Sequence, residues 1–197
     1  MVRIVLIRHS KTKGNLEGRY IGITDEHLCE EGIKLIKEKT FPKVEKVYSS
    51  PLLRCLETSK LIYPQLNPVA YENLKECNFG LFENKNYKEL NGDVYYQKWI
   101  DSEGKFPFPQ GESNEEFRNR CVHAFNNIVE DIFMSGIKTS AIICHGGTIM
   151  SILHEYSYPH KDFYNWQIKN CEGFILEIDE NLWGKGDKKI TVVRALC

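Results

Sequence analysis

Arg8 and His9 close a short apolar run, Val2-Arg3-Ile4-Val5-Leu6-Ile7. A second apolar run, Ala141-Ile142-Ile143-Cys144, ends in His145-Gly146-Gly147. Both runs are brief and rich in β-branched residues, so each reads as a buried strand. Each therefore delivers a histidine to the carboxyl end of its strand, where open α/β sheets bind ligands. A guanidinium is a planar, permanently charged fork of donors. Two histidines at one sheet edge, one of them beside an arginine, make an anion-handling site. The residue types alone leave each imidazole open as nucleophile, general base or metal ligand.

The elements that must carry these residues alternate along the chain, which argues for an α/β fold with a mainly parallel sheet. Residues 30–40 place Ile33 and Ile36 in a helical pattern before Phe41-Pro42, and Val44 to Tyr48 reads as a strand. Ser50-Pro51 supplies an N-cap and a first-turn proline for a helix running to about Ile62. Val69-Ala70-Tyr71 begins another strand. From Glu76 to Gly111 the composition shifts to aromatics, Asn and Gly, an excursion over the sheet edge in which Phe106 to Gly111 is a loop. Ser113-Asn114-Glu115-Glu116 matches a capping box and opens a helix with Phe117, Cys121, Phe125, Ile128, Ile132 and Phe133 on its core stripe, ended by Gly136. Residues 173–178 and 190–196 read as strands, with Gly184 and Gly186 in the turn between them. No repeat, low-complexity tract or linker interrupts the chain, so residues 1–197 are expected to form one domain.

Composition bounds the partners. At 197 residues and 42% apolar content the chain can bury a substantial core. A net charge of −1 provides no global field to attract nucleic acid or an acidic membrane, so local basic groups must carry any anion binding. Seven cysteines, an odd number with no C-x-x-C pair, read as reduced and mostly buried thiols. No apolar stretch is long enough to span a bilayer, and a cytoplasmic location is expected. The oligomeric state has no signature in the sequence.

Leu6-Ile7-Arg8-His9-Ser10-Lys11-Thr12, followed by Asn15, Gly18-Arg19, Gly22, Asp25, Leu28 and Glu31-Gly32, resembles the opening signature of the histidine phosphatase superfamily. This group contains the cofactor-dependent phosphoglycerate mutases and many phosphomonoesterases. Three later blocks follow in the family's order: Ser49-Ser50-Pro51-Leu52-Leu53-Arg54-Cys55-Leu56-Glu57-Thr58, Leu74-Lys75-Glu76-Cys77-Asn78-Phe79-Gly80, and Cys144-His145-Gly146-Gly147. The resemblance implies a three-layer α/β/α fold of the phosphoglycerate mutase type, with residues 76–112 covering the substrate. It implies His9 as nucleophile, Arg8, Asn15 and Arg54 as phosphate ligands, His145 as a second imidazole at the phosphoryl group, and Glu76 as proton donor. Arg19 is a candidate anion sensor or a plain surface residue, and Glu112 a second carboxylate able to reach the site from its loop. Ser113 is expected to act only as an N-cap.

The chemistry is coherent. A phosphate dianion repels anionic attack, so a neutral imidazole among guanidiniums is a favourable nucleophile that splits one hard step into two. Bidentate guanidiniums bind phosphate oxygens and stabilise the transferring group. The leaving alkoxide needs a proton, which a carboxylic acid can supply. With two arginines supplying positive charge and no metal-ligand spacing in the chain, neither metal nor cofactor is expected.

Some positions depart from the family pattern. Ser10 and Lys11 stand where glycine and an acidic residue are usual, and Ile21 replaces a glutamine. His27 and Cys29 replace proline and threonine. If position 10 needs a positive φ, serine strains the loop; otherwise its hydroxyl could serve phosphate, and Lys11 could raise anion affinity. Phe79-Gly80-Leu81-Phe82-Glu83, with Tyr87, Tyr96, Trp99 and Pro109-Gln110-Gly111-Glu112-Ser113, resembles α-ribazole-5′-phosphate phosphatases of cobalamin assembly. The expected activity is thus hydrolysis of a small phosphomonoester, α-ribazole 5′-phosphate being the specific expectation. A phosphoglycerate mutase and a non-catalytic phosphate-binding protein are the alternatives. The aromatics are read as packing residues before substrate-stacking ones.

Overall fold

A computed structural model describes residues 1–196. The elements are β1 (Val2–Arg8), α1 (Lys13–Leu16), α2 (Glu30–Lys37), β2 (Lys46–Ser49), α3 (Leu53–Ile62), β3 (Val69–Ala70), α4 (Val94–Asp101), α5 (Asn114–Ser135), β4 (Thr139–Cys144), α6 (Gly146–Tyr156), β5 (Gly173–Ile178), α7 (Glu180–Gly184) and β6 (Thr191–Leu196). Short 3₁₀ turns lie at Glu72–Leu74, Gly80–Phe82 and Phe163–Trp166.

The strands form one sheet in the order β3-β2-β4-β1-β5-β6. Pairings among β1 to β4 are parallel, while β5 runs antiparallel to both β1 and β6. Alternation along β1 sends Ile4 and Leu6 to one face, where they meet α5 and α6 residues such as Phe125, Ile128 and Ile152. It sends Val5 and Ile7 to the other, with Cys55 and Ile62 of α3. These are the three layers that the sequence pattern implied.

Local chemistry explains the element ends. Ser113 and Glu116 form the expected capping box on α5, and Gly136 ends that helix at φ 69°, a conformation glycine adopts without Cβ strain. Three details differ from expectation. Helix α3 starts at Leu53 rather than Pro51; the Leu53 N–H is met by Asp25, while the Ser50 hydroxyl accepts from the Leu52 N–H at 3.4 Å and contacts His145 at 2.8 Å. The excursion contains a helix, α4, capped by Asp93. The turn before β6 contains α7, capped by Asp179 and anchored by buried Trp183. Helix α7 is too short for a helical period to emerge, and α4 buries none of its residues, so no apolar face marks it in the sequence.

The excursion has its own aromatic core. Phe82, Leu90 and Phe108 pack with Phe117 and Cys121 of α5, flanked by Tyr20, Tyr96 and Trp99. All six described cysteines are unpaired and five are buried; Cys197 lies outside the described residues. Among the described residues no helix is long and apolar enough to cross a membrane.

Candidate active site

Strand register brings the two histidines together. Arg8 lies opposite Cys144 in the parallel β1–β4 pair, so the next residue of each strand leaves the same edge side by side. The rings of His9 and His145 sit 5.1 Å apart, edge to face at 64°. The His9 backbone N–H continues the ladder onto the Cys144 carbonyl at 2.8 Å.

The hydrogen bonds assign a tautomer to each ring. His9 Nδ1 lies 2.6 Å from the Ser10 carbonyl. A carbonyl only accepts, so Nδ1 carries the hydrogen and the Nε2 lone pair is free. Arg54 Nε lies 3.3 Å from His145 Nδ1. A guanidinium only donates, so that nitrogen accepts, and His145 Nε2–H donates to Ser50 Oγ at 2.8 Å. Burial holds both imidazoles well below the usual histidine range, and Arg54 and Arg8 push them further the same way. Both rings are therefore neutral at neutral pH.

This has a consequence for stability. Between the depressed folded value and the ordinary value of about 6.5, the unfolded chain binds protons that the folded chain refuses. The favourable contribution is complete above about pH 6.5 and is lost as pH falls below it. Thermal melting is expected to give a lower Tm at about pH 5.5 than at about pH 7.5, with a smaller drop in His145→Asn. Equal wild-type Tm values at the two pH values would contradict the neutral buried pair.

Arg8 donates through Nη1 to the Ile168 carbonyl at 2.8 Å, while its buried Nε has no partner. An orphaned guanidinium N–H at this depth costs stability unless a ligand meets it. Arg54 is fully buried at the start of α3. Its Nη1 donates to the Thr24 carbonyl and its Nη2 to those of Ile21 and Gly22. With Nε on His145, one Nη1 hydrogen remains uncommitted. Gly22 also lies against the segment after Glu76, since a Cβ there would come within 1.9 Å of the Cys77 carbonyl oxygen.

Glu76 follows the 3₁₀ turn at Glu72–Leu74. Its Oε1 accepts from the Cys77 N–H at 3.0 Å and its Oε2 from the Gly147 N–H at 3.3 Å. The second donor is one of the backbone N–H groups that the first turn of α6 leaves without an intrahelical partner. Glycine at 147 leaves room for this carboxylate, since a Cβ there would come within 2.6 Å of Glu76 Oε1 and 2.9 Å of the Phe117 ring and displace them.

Arg8, Glu76 and Gly147 line a cleft of about 730 Å³ together with Trp99, Phe108, Phe163 and Tyr164, while the buried His9, Arg54 and His145 are not among its lining residues. Trp99 thus both packs and faces the cleft. Tyr96 packs on Phe82 with ring centroids 5.3 Å apart, and Tyr87 is exposed at the surface.

Other candidates are placed differently. Asn15 Oδ1 accepts from the Thr12 N–H and from Asn170 Nδ2, which also donates to the His9 carbonyl. Asn15 braces the loop that carries His9. Arg19 is held by Glu17 and Glu89, and Glu112 by Arg120; neither Arg19 nor Glu112 lines the cleft. Ser10 is buried without a left-handed backbone, and its hydroxyl donates to the Gly32 carbonyl at 2.7 Å, not toward an anion. Lys11 likewise does not line the cleft, and its charge acts on Glu31. Sequence reasoning missed Arg120, the Ser50 contact to His145, and the cleft wall formed by 163–172. These roles arise from contacts distant in sequence, and no local pattern marks them.

The family model of the histidine phosphatase superfamily (branch 1) matches residues 4–186. The chain is 34% identical over 162 residues to putative phosphoserine phosphatase 2 of Hydrogenobacter thermophilus, covering 78% of this chain and 77% of that protein. It is 24% identical to the 2,3-bisphosphoglycerate-dependent phosphoglycerate mutase of Nautilia profundicola, covering 92% and 96%. The fold matches that of a putative alpha-ribazole-5′-P phosphatase from Escherichia coli with a TM-score of 0.84, at 20% identity, over 99% of this chain and 95% of that one.

Proposed function

Because the chain belongs to branch 1 of the histidine phosphatase superfamily, we propose that it is a metal-independent phosphomonoester hydrolase working through a phosphohistidine. His9 Nε2 attacks phosphorus, the bond from phosphorus to the ester oxygen breaks, and Glu76 gives its proton to the departing oxygen. Glu76, now a carboxylate, then takes a proton from the water that attacks phosphohistidine. This releases phosphate and restores both residues. Arg8, Arg54 and His145 stabilise the charge spread over the transferring oxygens. Two guanidiniums supply the positive charge that a metal provides elsewhere. Asn15 holds the nucleophile loop. Residues 76–112 act as the substrate cover within one domain spanning 1–197.

One observation carries this reading: a neutral His9 with its Nε2 lone pair free stands beside an Arg8 whose buried Nε has no partner. For the substrate, the aromatic walls of the cleft favour a phosphate ester bearing a ring. α-Ribazole 5′-phosphate is the specific candidate, and the fold this chain shares with alpha-ribazole phosphatases of Escherichia coli (putative) and Shigella flexneri is consistent with that substrate.

The test is a panel of α-ribazole 5′-phosphate, phosphoserine and 3-phosphoglycerate with catalytic 2,3-bisphosphoglycerate, assayed in EDTA. Phosphate release is expected, fastest from α-ribazole 5′-phosphate, with negligible 2-phosphoglycerate. Isomerisation without phosphate release would make the protein a mutase. Loss of activity in EDTA, restored by magnesium or zinc, would overturn the metal-free mechanism. Preference for phosphoserine would replace the substrate.

A further inference from the structure

Glu76 lies in a segment without regular structure. Residues 75–79 belong to neither helix nor strand, so their backbone groups need partners from elsewhere. Arg120, two turns into α5, supplies them. Its Nη1 donates to the carbonyls of Asn73 at 3.1 Å and Lys75 at 2.7 Å, and its Nη2 to that of Glu76 itself at 2.9 Å. The guanidinium is aimed by Glu112, which accepts from Nε at 2.6 Å and Nη2 at 2.7 Å in a bidentate pair. The same Glu112 carboxylate accepts the Asn78 N–H at 2.8 Å, and the Glu112 N–H donates to the Asn78 carbonyl at 2.9 Å. Both residues are largely shielded from solvent, so the pair is not loosened as a surface pair is.

The clamp also works from the side. The Arg120 guanidinium lies 4.9 Å from the Phe117 ring centre, one turn earlier on α5. That ring and Glu76 Oε1 both press on the space where a Cβ of residue 147 would stand. The main chain of Glu76 is thus held by Arg120, and its carboxylate is confined beside Phe117 and the Gly147 N–H.

We propose that Arg120 and Glu112 are positioning residues that hold Glu76 in register with the phosphoryl site, and that Glu112 itself touches no substrate. The proposal rests on Glu76 being the proton donor. It assigns the Gly111-Glu112-Ser113 block a mechanical role: Ser113 starts α5, α5 carries Arg120, and Glu112 orients Arg120 onto the strandless segment. Loss of the clamp should therefore damage only chemistry that needs the Glu76 proton.

Single-turnover cleavage of an alkyl phosphate and of p-nitrophenyl phosphate separates this role from a merely structural one. Arg120→Met is expected to slow the alkyl ester about 100-fold, the scale of a displacement of about 1 Å, and the nitrophenyl ester far less. On a Glu76→Gln background the same substitution should add little, because the group it positions is already disabled. Glu112→Gln, which keeps shape and loses charge, should give the same pattern more weakly, and it decides the matter if Arg120→Met does not fold. Equal losses on both esters, or full additivity with Glu76→Gln, would overturn the clamp. A Glu76→Gln enzyme indifferent to the leaving group would instead reject the proton-donor assignment, and the clamp with it.

Discussion

His9→Ala is expected to abolish turnover while leaving the fold intact. A covalent nucleophile that acts as a unit with its neighbours typically accounts for a loss on the order of 10⁶-fold. The imidazole contributes one hydrogen bond, to the adjacent Ser10 carbonyl, so its removal breaks no long-range hydrogen bond and costs only the edge-to-face contact with His145. Rapid quenching of wild-type protein with radiolabelled substrate should trap an acid-labile, base-stable phosphohistidine that is absent from His9→Ala. Burial beside two guanidiniums holds the imidazole below its ordinary range. The reactive neutral form therefore persists as pH falls through about 6.5, and the acid limb of kcat/KM set by His9 should lie below that value. Near-normal activity in His9→Ala would remove the assignment.

The second large effect concerns Glu76. An alkyl phosphate leaves as a strongly basic alkoxide, whereas p-nitrophenolate is already a stable anion. Glu76→Gln keeps the size of the side chain and one acceptor oxygen, enough for either the Cys77 or the Gly147 N–H but not both, and has no carboxylic proton to give. Alkyl phosphate cleavage should fall by about 10²–10⁴-fold, the usual worth of general acid catalysis, and nitrophenyl phosphate cleavage far less. Single-turnover kinetics is the appropriate measurement, because the same carboxylate serves as base in the second step. A small and equal loss on both substrates would exclude Glu76. Glu112 is then a poor replacement, since it is committed to Arg120 and does not line the cleft.

The two kinds of site residue differ in how visible they are from sequence. His9, Arg8 and His145 are locatable because a strand end is a local feature: a run of four to six mostly apolar residues stops, and the next side chain leaves the sheet edge. Their meeting needed only the parallel pairing that alternating strands and helices imply. Arg54 and Glu76 were reached through the resemblance of ordered blocks, not through periodicity. Arg120 was invisible to either approach. It lies on a well-formed helix but off the core stripe, and its acceptors are some 45 positions away in sequence. Ser50 reads as a cap because serine before proline usually is one; its hydroxyl accepts the Leu52 N–H at 3.4 Å, but its shorter partner is the buried His145 imidazole at 2.8 Å.

The sequence by itself determined the α/β class, the capping-box helix, the family and the identity of the groups able to do phosphoryl chemistry. These follow from period, local turn chemistry and ordered motifs, all of which act over a few residues. Only the tertiary structure decided the protonation of His9 and His145, the orphaned Nε of Arg8, the diversion of Ser10 to Gly32 and the removal of Arg19 and Glu112 from the cleft. The physical reason is that desolvation and hydrogen-bond competition depend on which groups approach in space. A carboxylate cannot be told as proton donor or as ion-pair partner until the donors around it are known.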